Sequence, residues 1–383
     1  MKRIEYRFIS ENNKRKVKWI SVLDRIGYLM LNYNKINLDL TTTKSVAILQ
    51  LAHIGDFVLT LPMIKVLHDV LKMKTTCVVN TVNYSLANKC KYIDDVIQAD
   101  APYFTRSIKK SGYLKFMKQL RSLDSDIIFD LRGDFRNVIT AYVAAKKRYL
   151  IGYSEGGAGF LLDKSLLYNH TNHISLTFNS ILREFGFIGD PLNFWDPVDM
   201  PYEICVEQLP KKYMAIHIST GAQSRQWPIE NFVTLVTMIT KIIPIVVLGM
   251  SSDLTMDQKC RFESIPNAIS LIGKTSLLQG IDVIRRCTCF VGLESAFSHI
   301  AGLLKKPLVG IYSGTTTTTR WAPLSLQTGS MNLIKRRPPC SGARGCGRLE
   351  CVDNFCMRDI TVEDVYELVK NMVSQQVSAH DGH

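Results

Sequence analysis

The stretch from Tyr213 to Ser313 constrains the fold most. Short apolar runs (YMAIHIS, IPIVVLGM, AISLIG, CFVGL and PLVGIYS) alternate there with longer helical segments (IENFVTLVTMITK, DLTMDQKCRFESI, LLQGIDVIRRC and AFSHIAGLLKK). Strands that are apolar throughout are buried on both faces. Separated by helices, they make βαβ units and a parallel sheet covered on both sides. The same rhythm runs through the earlier part of the chain. SVAILQL reads as a strand, and LPMIKVLHDVLKM as the helix after it, with Thr60 as N-cap and Pro62 in the first turn. TTCVVNTV is a second strand and DIIFDLRGD a later one, flanked by helical YLKFMKQLRSL and NVITAYVAAKKR, and YLIGY closes this half. Residues 165 to 210 break the pattern, and GDPLNFWDPVDMPYE, with its three prolines, reads as a connection. The expected architecture is α/β with two doubly wound domains, and 383 residues suffice for both. A basic helical extension is predicted over 1–44, the first domain over 45–200 and the second over 201–339. Residues 340–383 hold a cysteine cluster and a last helix.

At 46% hydrophobic and 21% charged residues, the composition is that of a soluble globular protein. No apolar run reaches the roughly 18 residues that suggest a membrane span. The basic start MKRIEYRFISENNKRKVKWI lacks the apolar core of a secretory signal, so the cytoplasm is the expected compartment. A net charge of +13 favours a polyanionic partner: nucleic acid, an anionic membrane face or a phosphorylated substrate. No zinc-finger or RNA-recognition signature is present, and nucleic acid is not expected. Residues 14–34 mix basic and apolar positions. They suit either a membrane-surface helix or an extra helix packed on the first domain.

Three polar clusters stand at predicted strand ends, where open α/β sheets present ligand-binding groups. In AILQLAHIGDFVLTLP, Asp56 lies in the turn leaving the first strand, and Gly55 beside it suits a tight turn or a close approach of backbone to ligand. Asp56 either faces a ligand or caps the following helix. His53 reads as a satisfied histidine near the core. In HISTGAQSRQWP, Ser219, Thr220, Gly221 and Arg225 gather hydroxyls, backbone donors and a guanidinium, the composition a diphosphate needs; a solvated capping loop is the alternative. In VGLESAFSHIAG, Glu294 and Ser295 end a strand and Ala296 opens the helix that carries His299. A carboxylate there can accept bonds from sugar hydroxyls, while the helix start favours an anion. LIGKTS is not a P-loop, because Ala268 stands where the first glycine is required.

Together these motifs resemble the ADP-heptose glycosyltransferases, the lipopolysaccharide heptosyltransferase family (glycosyltransferase family 9). IGDFVLTLP resembles the family's first-strand motif, HISTGAQSRQWPIENF its strand, loop and Trp-Pro helix start, and residues 271–323 its donor-binding region. CMRDITVEDVYELV resembles its C-terminal Cys-Met and helix, so the likeness runs from about residue 45 to 373. The resemblance implies a GT-B fold, with two Rossmann-like domains facing a cleft. It also implies inverting transfer of heptose from ADP-heptose to a hydroxyl of a lipopolysaccharide core or other surface glycan. Asp56 would be the base and Arg225 the catalytic cation. Ser219, Thr220, Gly221, Arg225, Glu294, Ser295, Ala296 and His299 would bind the donor, and no catalytic metal is implied. Glu294 replaces a commoner Asp and Arg225 a commoner Lys, each with its charge kept. Weighed beside this are a protein acceptor, a nucleotide-sugar 2-epimerase and a non-catalytic GT-B subunit. The enzyme is expected in the cytoplasm, with contact to the inner-membrane surface through the basic extension.

Six of the ten cysteines are scattered through apolar segments and read as buried thiols. Cys340, Cys346, Cys351 and Cys356 fall within 17 residues. Four thiolates suit a structural zinc or iron ion, although the usual C-x₂-C knuckle is absent; free thiols or disulfides are the alternatives. Lys335, Arg336, Arg337, Arg344 and Arg348 would offset the charge. The resemblance points the same way, since many relatives carry a Cys cluster ending in Cys-Met, some of them metal-binding.

Overall fold

The computed structural model describes residues 14–30, 38–104, 110–205, 207–324, 331–336, 340, 345–348 and 350–378. Arg337 and Arg344 lie outside them. The chain divides into two compact units, Met1–Trp195 and Asp196–His383.

The first unit is built on six parallel strands: β1 (Ser45–Gln50), β2 (Lys74–Val79), β3 (Asp95–Gln98), β4 (Asp124–Asp130), β5 (Lys146–Tyr153) and β6 (Lys164–Leu166). Their order in the sheet is β3-β2-β1-β4-β5-β6. Val46, Ala47, Ile48 and Leu49 are fully buried between β2 and β4, which explains the unbroken apolar run. The helices are α1 (Lys14–Met30), α2 (Ile54–Val58), α3 (Leu61–Lys65), α4 (Thr81–Asn88), α5 (Lys110–Leu120), α6 (Phe135–Ala144), α7 (Ile174–Phe178) and α8 (Ser180–Glu184). The helix predicted over 61–73 forms as α3 and then loosens into a π-helical turn, Val66–Val70; Thr60 stands at its N-cap position but does not cap it, since its hydroxyl donates to the Phe57 carbonyl at 2.6 Å. The proline-rich connection forms two 3₁₀ turns, Pro191–Phe194 and Pro197–Asp199, capped by Asp190 and Asp196.

The second unit repeats the plan. Its strands are β7 (Met214–His217), β8 (Ile245–Leu248), β9 (Ala268–Ser270), β10 (Cys289–Leu293), β11 (Leu308–Tyr312) and β12 (Met331–Lys335), in the order β12-β11-β10-β7-β8-β9. Counted from its own first strand, each sheet has the doubly wound order 3-2-1-4-5-6. The strand order therefore reverses between β1 and β4, and again between β7 and β10. Its helices are α9 (Ile229–Ile239), α10 (Met256–Glu263), α11 (Leu277–Arg286), α12 (Ala296–Leu303), α13 (Thr318–Trp321), α14 (Phe355–Arg358) and α15 (Val362–Ser378). The last helix is part of this core: Val365, Val369 and Met372 are buried among residues of α9, β10 and β11. In LIGKTS, Lys274 pairs with Glu263, and Ser276 caps α11 by accepting the Gln279 N–H bond, so these residues serve structure.

Five of the six scattered cysteines are buried, but Cys260 is exposed because it lies on the outer side of α10. Among the described residues, no helix is long and apolar enough to cross a membrane.

Candidate functional site

In the first unit, β1 ends at Gln50 and the chain turns through Leu51–His53 into α2. Asp56 is the third residue of that helix, half-buried, and its Oδ2 accepts the His53 N–H bond at 3.3 Å. The capping alternative is thus realised at one oxygen, and the bond orients the carboxylate. His53 is exposed instead of lying near the core, because as N-cap it sits outside the helix. The turn is held from the end of β2. Asn80 Nδ2 donates to the carbonyls of Ala52 (2.8 Å) and Leu51 (3.3 Å), and Asn83 Nδ2 to Ala52 (3.0 Å). Across the strand reversal stands Asp130, fully buried, accepting from Gly133 N–H (2.8 Å) and Asn137 Nδ2 (3.1 Å). Burial lifts its carboxyl to about 7.

In the second unit, the loops after β7 and β10 meet because these strands are neighbours, with Gly292 beside His217. Arg225 Nη2 lies 3.4 Å from Glu294 Oε1, and Thr220 Oγ1 donates to the Glu294 carbonyl at 3.3 Å. Glu294 is buried at 5% exposure, which a carboxylate tolerates only when paired and hydrogen-bonded. Its partners come from the loop after β11. Thr316 Oγ1 donates to Oε1 (2.6 Å), Ser313 Oγ to Oε2 (3.5 Å), and Thr315 Oγ1 accepts from Arg225 Nε (3.4 Å). Ser295, at the N-cap of α12, lies 3.3 Å from His217 Nδ1. Burial holds the His217 imidazole down at about 3, so the ring is neutral. The Ser219 hydroxyl oxygen accepts the Met250 N–H bond at 2.7 Å and anchors the loop after β8. Gly221 faces open space, Ala296 opens α12 and His299 is buried one turn further on.

The structure thus brings Ser219, Thr220, Arg225, Glu294 and Ser295 around one strand reversal, while Asp56 belongs to the other unit. Sequence reasoning missed Asn80, Asn83, His217 and the Ser313–Thr316 wall. For the last the signal is the hydroxyl run TTTTT, one residue beyond the predicted strand PLVGIYS.

The C-terminal segment touches both loops of this site. Cys346 and Gly347 donate their N–H bonds to the carbonyls of Gly314 and Thr315, both at 3.0 Å. Asn354 Nδ2 donates to the Gln226 carbonyl (2.9 Å), and the fully buried Trp227 donates through Nε1 to Ile360 (2.9 Å). Burial pushes the Cys356 thiol up, a Gly314 N–H bond opposes this, and the neighbouring Cys346, Cys340 and Cys351 thiols add to it. Cys351 Sγ donates to the Asp353 carbonyl at 3.3 Å, and among the described residues no His, Cys, Asp or Glu group of three or more is arranged to hold a metal ion.

Two doubly wound units, with a guanidinium–carboxylate pair ringed by hydroxyls at one strand reversal, are the architecture against which the comparisons with known proteins stand. Residues 113–344 match the model of glycosyltransferase family 9 (heptosyltransferase), and the chain belongs to that family. It is similar to lipooligosaccharide heptosyltransferase 2 of Haemophilus influenzae, 29% identical over 118 residues, 29% of this chain and 34% of the relative. The alignment thus spans about a third of the length of the first curated relatives it matches. The fold is that of the E. coli heptosyltransferase WaaC with ADP (TM-score 0.64, 14% identity, 86% of this chain and 99% of that one). It also matches the iron-containing dodecameric glycosyltransferase TibC from enterotoxigenic E. coli (TM-score 0.52, 14% identity, 87% and 79%).

Proposed function

We propose that the chain is an inverting heptosyltransferase. It moves heptose from ADP-heptose to a hydroxyl of a lipopolysaccharide core or another surface glycan, in the cytoplasm. The observation that carries this reading is the Arg225–Glu294 pair, set among Thr220, Thr315 and Thr316 at the β7/β10 strand reversal. The guanidinium suits a diphosphate and the hydroxyl-ringed carboxylate suits a sugar. The relatives' names supply heptose and the lipooligosaccharide class, and ADP is named for WaaC.

In the reaction, the Asp56 carboxylate takes the proton of the acceptor hydroxyl as its oxygen bonds to the anomeric carbon. The bond from that carbon to the diphosphate oxygen breaks, its electron pair leaves with ADP, and the configuration inverts. Arg225, with Ser219, Thr220 and Gly221, meets the charge growing on the diphosphate. Glu294 and Ser295 hold sugar hydroxyls, with Ala296 and His299 at the start of α12. Purified protein incubated with ADP-heptose and a series of acceptors, read by mass spectrometry, tests the reading. Acceptor-dependent ADP release with one added heptose supports it. Epimerised donor in the absence of acceptor, or heptose found on a protein only, would replace it.

We also infer that Cys340, Cys346, Cys351 and Cys356 hold a structural zinc or iron ion. The support is chemical: four thiols within 17 residues, in a segment anchored by the Cys346 and Gly347 backbone bonds, are donors that zinc and iron favour, and TibC is described as iron-containing. Bound, the ion would tie residues 340–356 together without touching the sugar.

A further inference from the structure

We infer that α1 is a membrane-docking surface for anionic lipid headgroups. The helix lies outside the residues matched by the family model, and the proposed reaction uses none of it. Its orientation on the first unit is set by a few contacts. The buried Asp24 accepts the Ala158 N–H bond at 2.8 Å, and Ile20 is buried against Gly157. Tyr28 meets Phe160 edge-on, and a Cβ on Gly27 would come within 2.5 Å of the Phe160 ring. At 100° per residue, residues 20, 24, 27 and 28 share the inward side. The opposite side carries Trp19, Val22, Leu23, Ile26, Leu29 and Met30, all exposed, with Trp19 at 71% and Leu29 at 82%. This apolar stripe runs for about 17 Å. Lys18 and Arg25, both exposed, fall together along one edge of it.

An apolar stripe with a tryptophan and a basic edge is what an interfacial helix needs. The stripe enters the boundary between headgroups and acyl chains, while the cations pair with anionic headgroups. Among the described residues the helix is not apolar enough to cross a membrane, and five Lys and Arg residues fall within Lys14–Met30. Charge also chooses between occupants. A second copy of this chain would set these cations against the same cations, whereas an anionic bilayer complements them and the chain's net +13.

The test uses full-length protein and vesicle flotation, a readout that needs neither donor nor acceptor, so its failure is separable from failure of the transferase reading. Wild type should float with vesicles holding about 30% anionic phospholipid, lose that binding with zwitterionic vesicles, and weaken at high salt. Trp19 emission should shift to the blue on binding, a shift absent from Trp19→Phe. Leu23→Ser/Ile26→Ser should weaken partition by about tenfold or more, and Lys18→Glu/Arg25→Glu by about fivefold for each charge changed. All four positions are exposed, so unchanged circular dichroism is expected. Equal partition of wild type and both variants, or no partition of any of them, would overturn the assignment. So would light scattering that shows Leu23→Ser/Ile26→Ser splitting an oligomer while vesicle binding stays the same.

Discussion

The Arg225 guanidinium rests 3.4 Å from the Glu294 carboxylate, and the same carboxylate oxygen receives the Thr316 hydroxyl at 2.6 Å. The cation at this strand reversal is therefore positioned before any ligand arrives, and on the proposed reading a diphosphate would share a guanidinium that already has one anion. The two side chains are expected to separate phosphate recognition from sugar recognition.

Arg225→Ala should weaken ADP binding by about tenfold or more, because a charge-assisted pair in a partly enclosed site is lost. It should also lower stability by roughly 3 kcal/mol, since it leaves a buried carboxylate without its cation. Adding Glu294→Gln should restore stability without restoring affinity. Calorimetry with ADP and denaturant melts check both; equal ADP affinity in wild type and Arg225→Ala would remove the phosphate role.

Glu294→Gln alone frees the guanidinium from its intramolecular anion. ADP should bind at least as well as to wild type, while the advantage of ADP-heptose over ADP shrinks. Competition binding with both ligands reads this directly, and an unchanged preference for the sugar nucleotide counts against a sugar-binding Glu294.

Asp56→Ala should cost transfer about 10²-fold or more, with ADP affinity unchanged, because a general base acts in the transition state. Asp56→Asn tests the same point with the His53 cap bond retained. Near-normal turnover in the Asn variant would show that Asp56 only caps α2.

His217 supplies a pH test. Burial lowers its folded value to about 3 from the ordinary 6.5, so its contribution is full above pH 6.5 and is lost as pH falls toward the folded value. Between pH 6.5 and 5 the wild type should lose about 2 kcal/mol relative to His217→Gln. Paired chemical melts at the two pH values give this difference, and parallel slopes would mean that the ring is protonated in the native state.

Metal analysis of protein purified without chelator should find close to one equivalent of zinc plus iron. Cys346→Ser should lower that content; it keeps the backbone N–H bond to Gly314, so any accompanying loss of ADP affinity reports the ion's hold on the segment beside Thr315 and Thr316. Metal-free wild type with full ADP affinity would confine the thiols to ordinary packing.

Much of the fold was legible because parallel strands such as Val46–Leu49 are buried on both faces and leave unbroken apolar runs. The strands that escaped notice, β3, β6 and β12, lie toward or at sheet edges. Asp95–Gln98 is half-exposed and mixed in polarity, so no run announces it. The Ser219–Arg225 and Glu294–Ser295 clusters stood out because each interrupts apolar chain at a strand end. Asn80 and Asn83 did not, because their partners are carbonyls about thirty residues earlier, and local sequence says nothing of a backbone acceptor. The same holds for Thr316, whose purpose depends on a carboxylate 22 residues upstream.

Gly345, in left-handed backbone at φ +85°, lets the tail approach the Thr315 carbonyl so closely that a Cβ would stand 2.4 Å from it. With the Cys346, Asn354 and Ile360 bonds, this makes residues 345–360 a clasp over two loops made far earlier in the chain. A single proteolytic cut near residue 345 should therefore loosen both loops while α15, still docked on the second sheet, keeps the core closed.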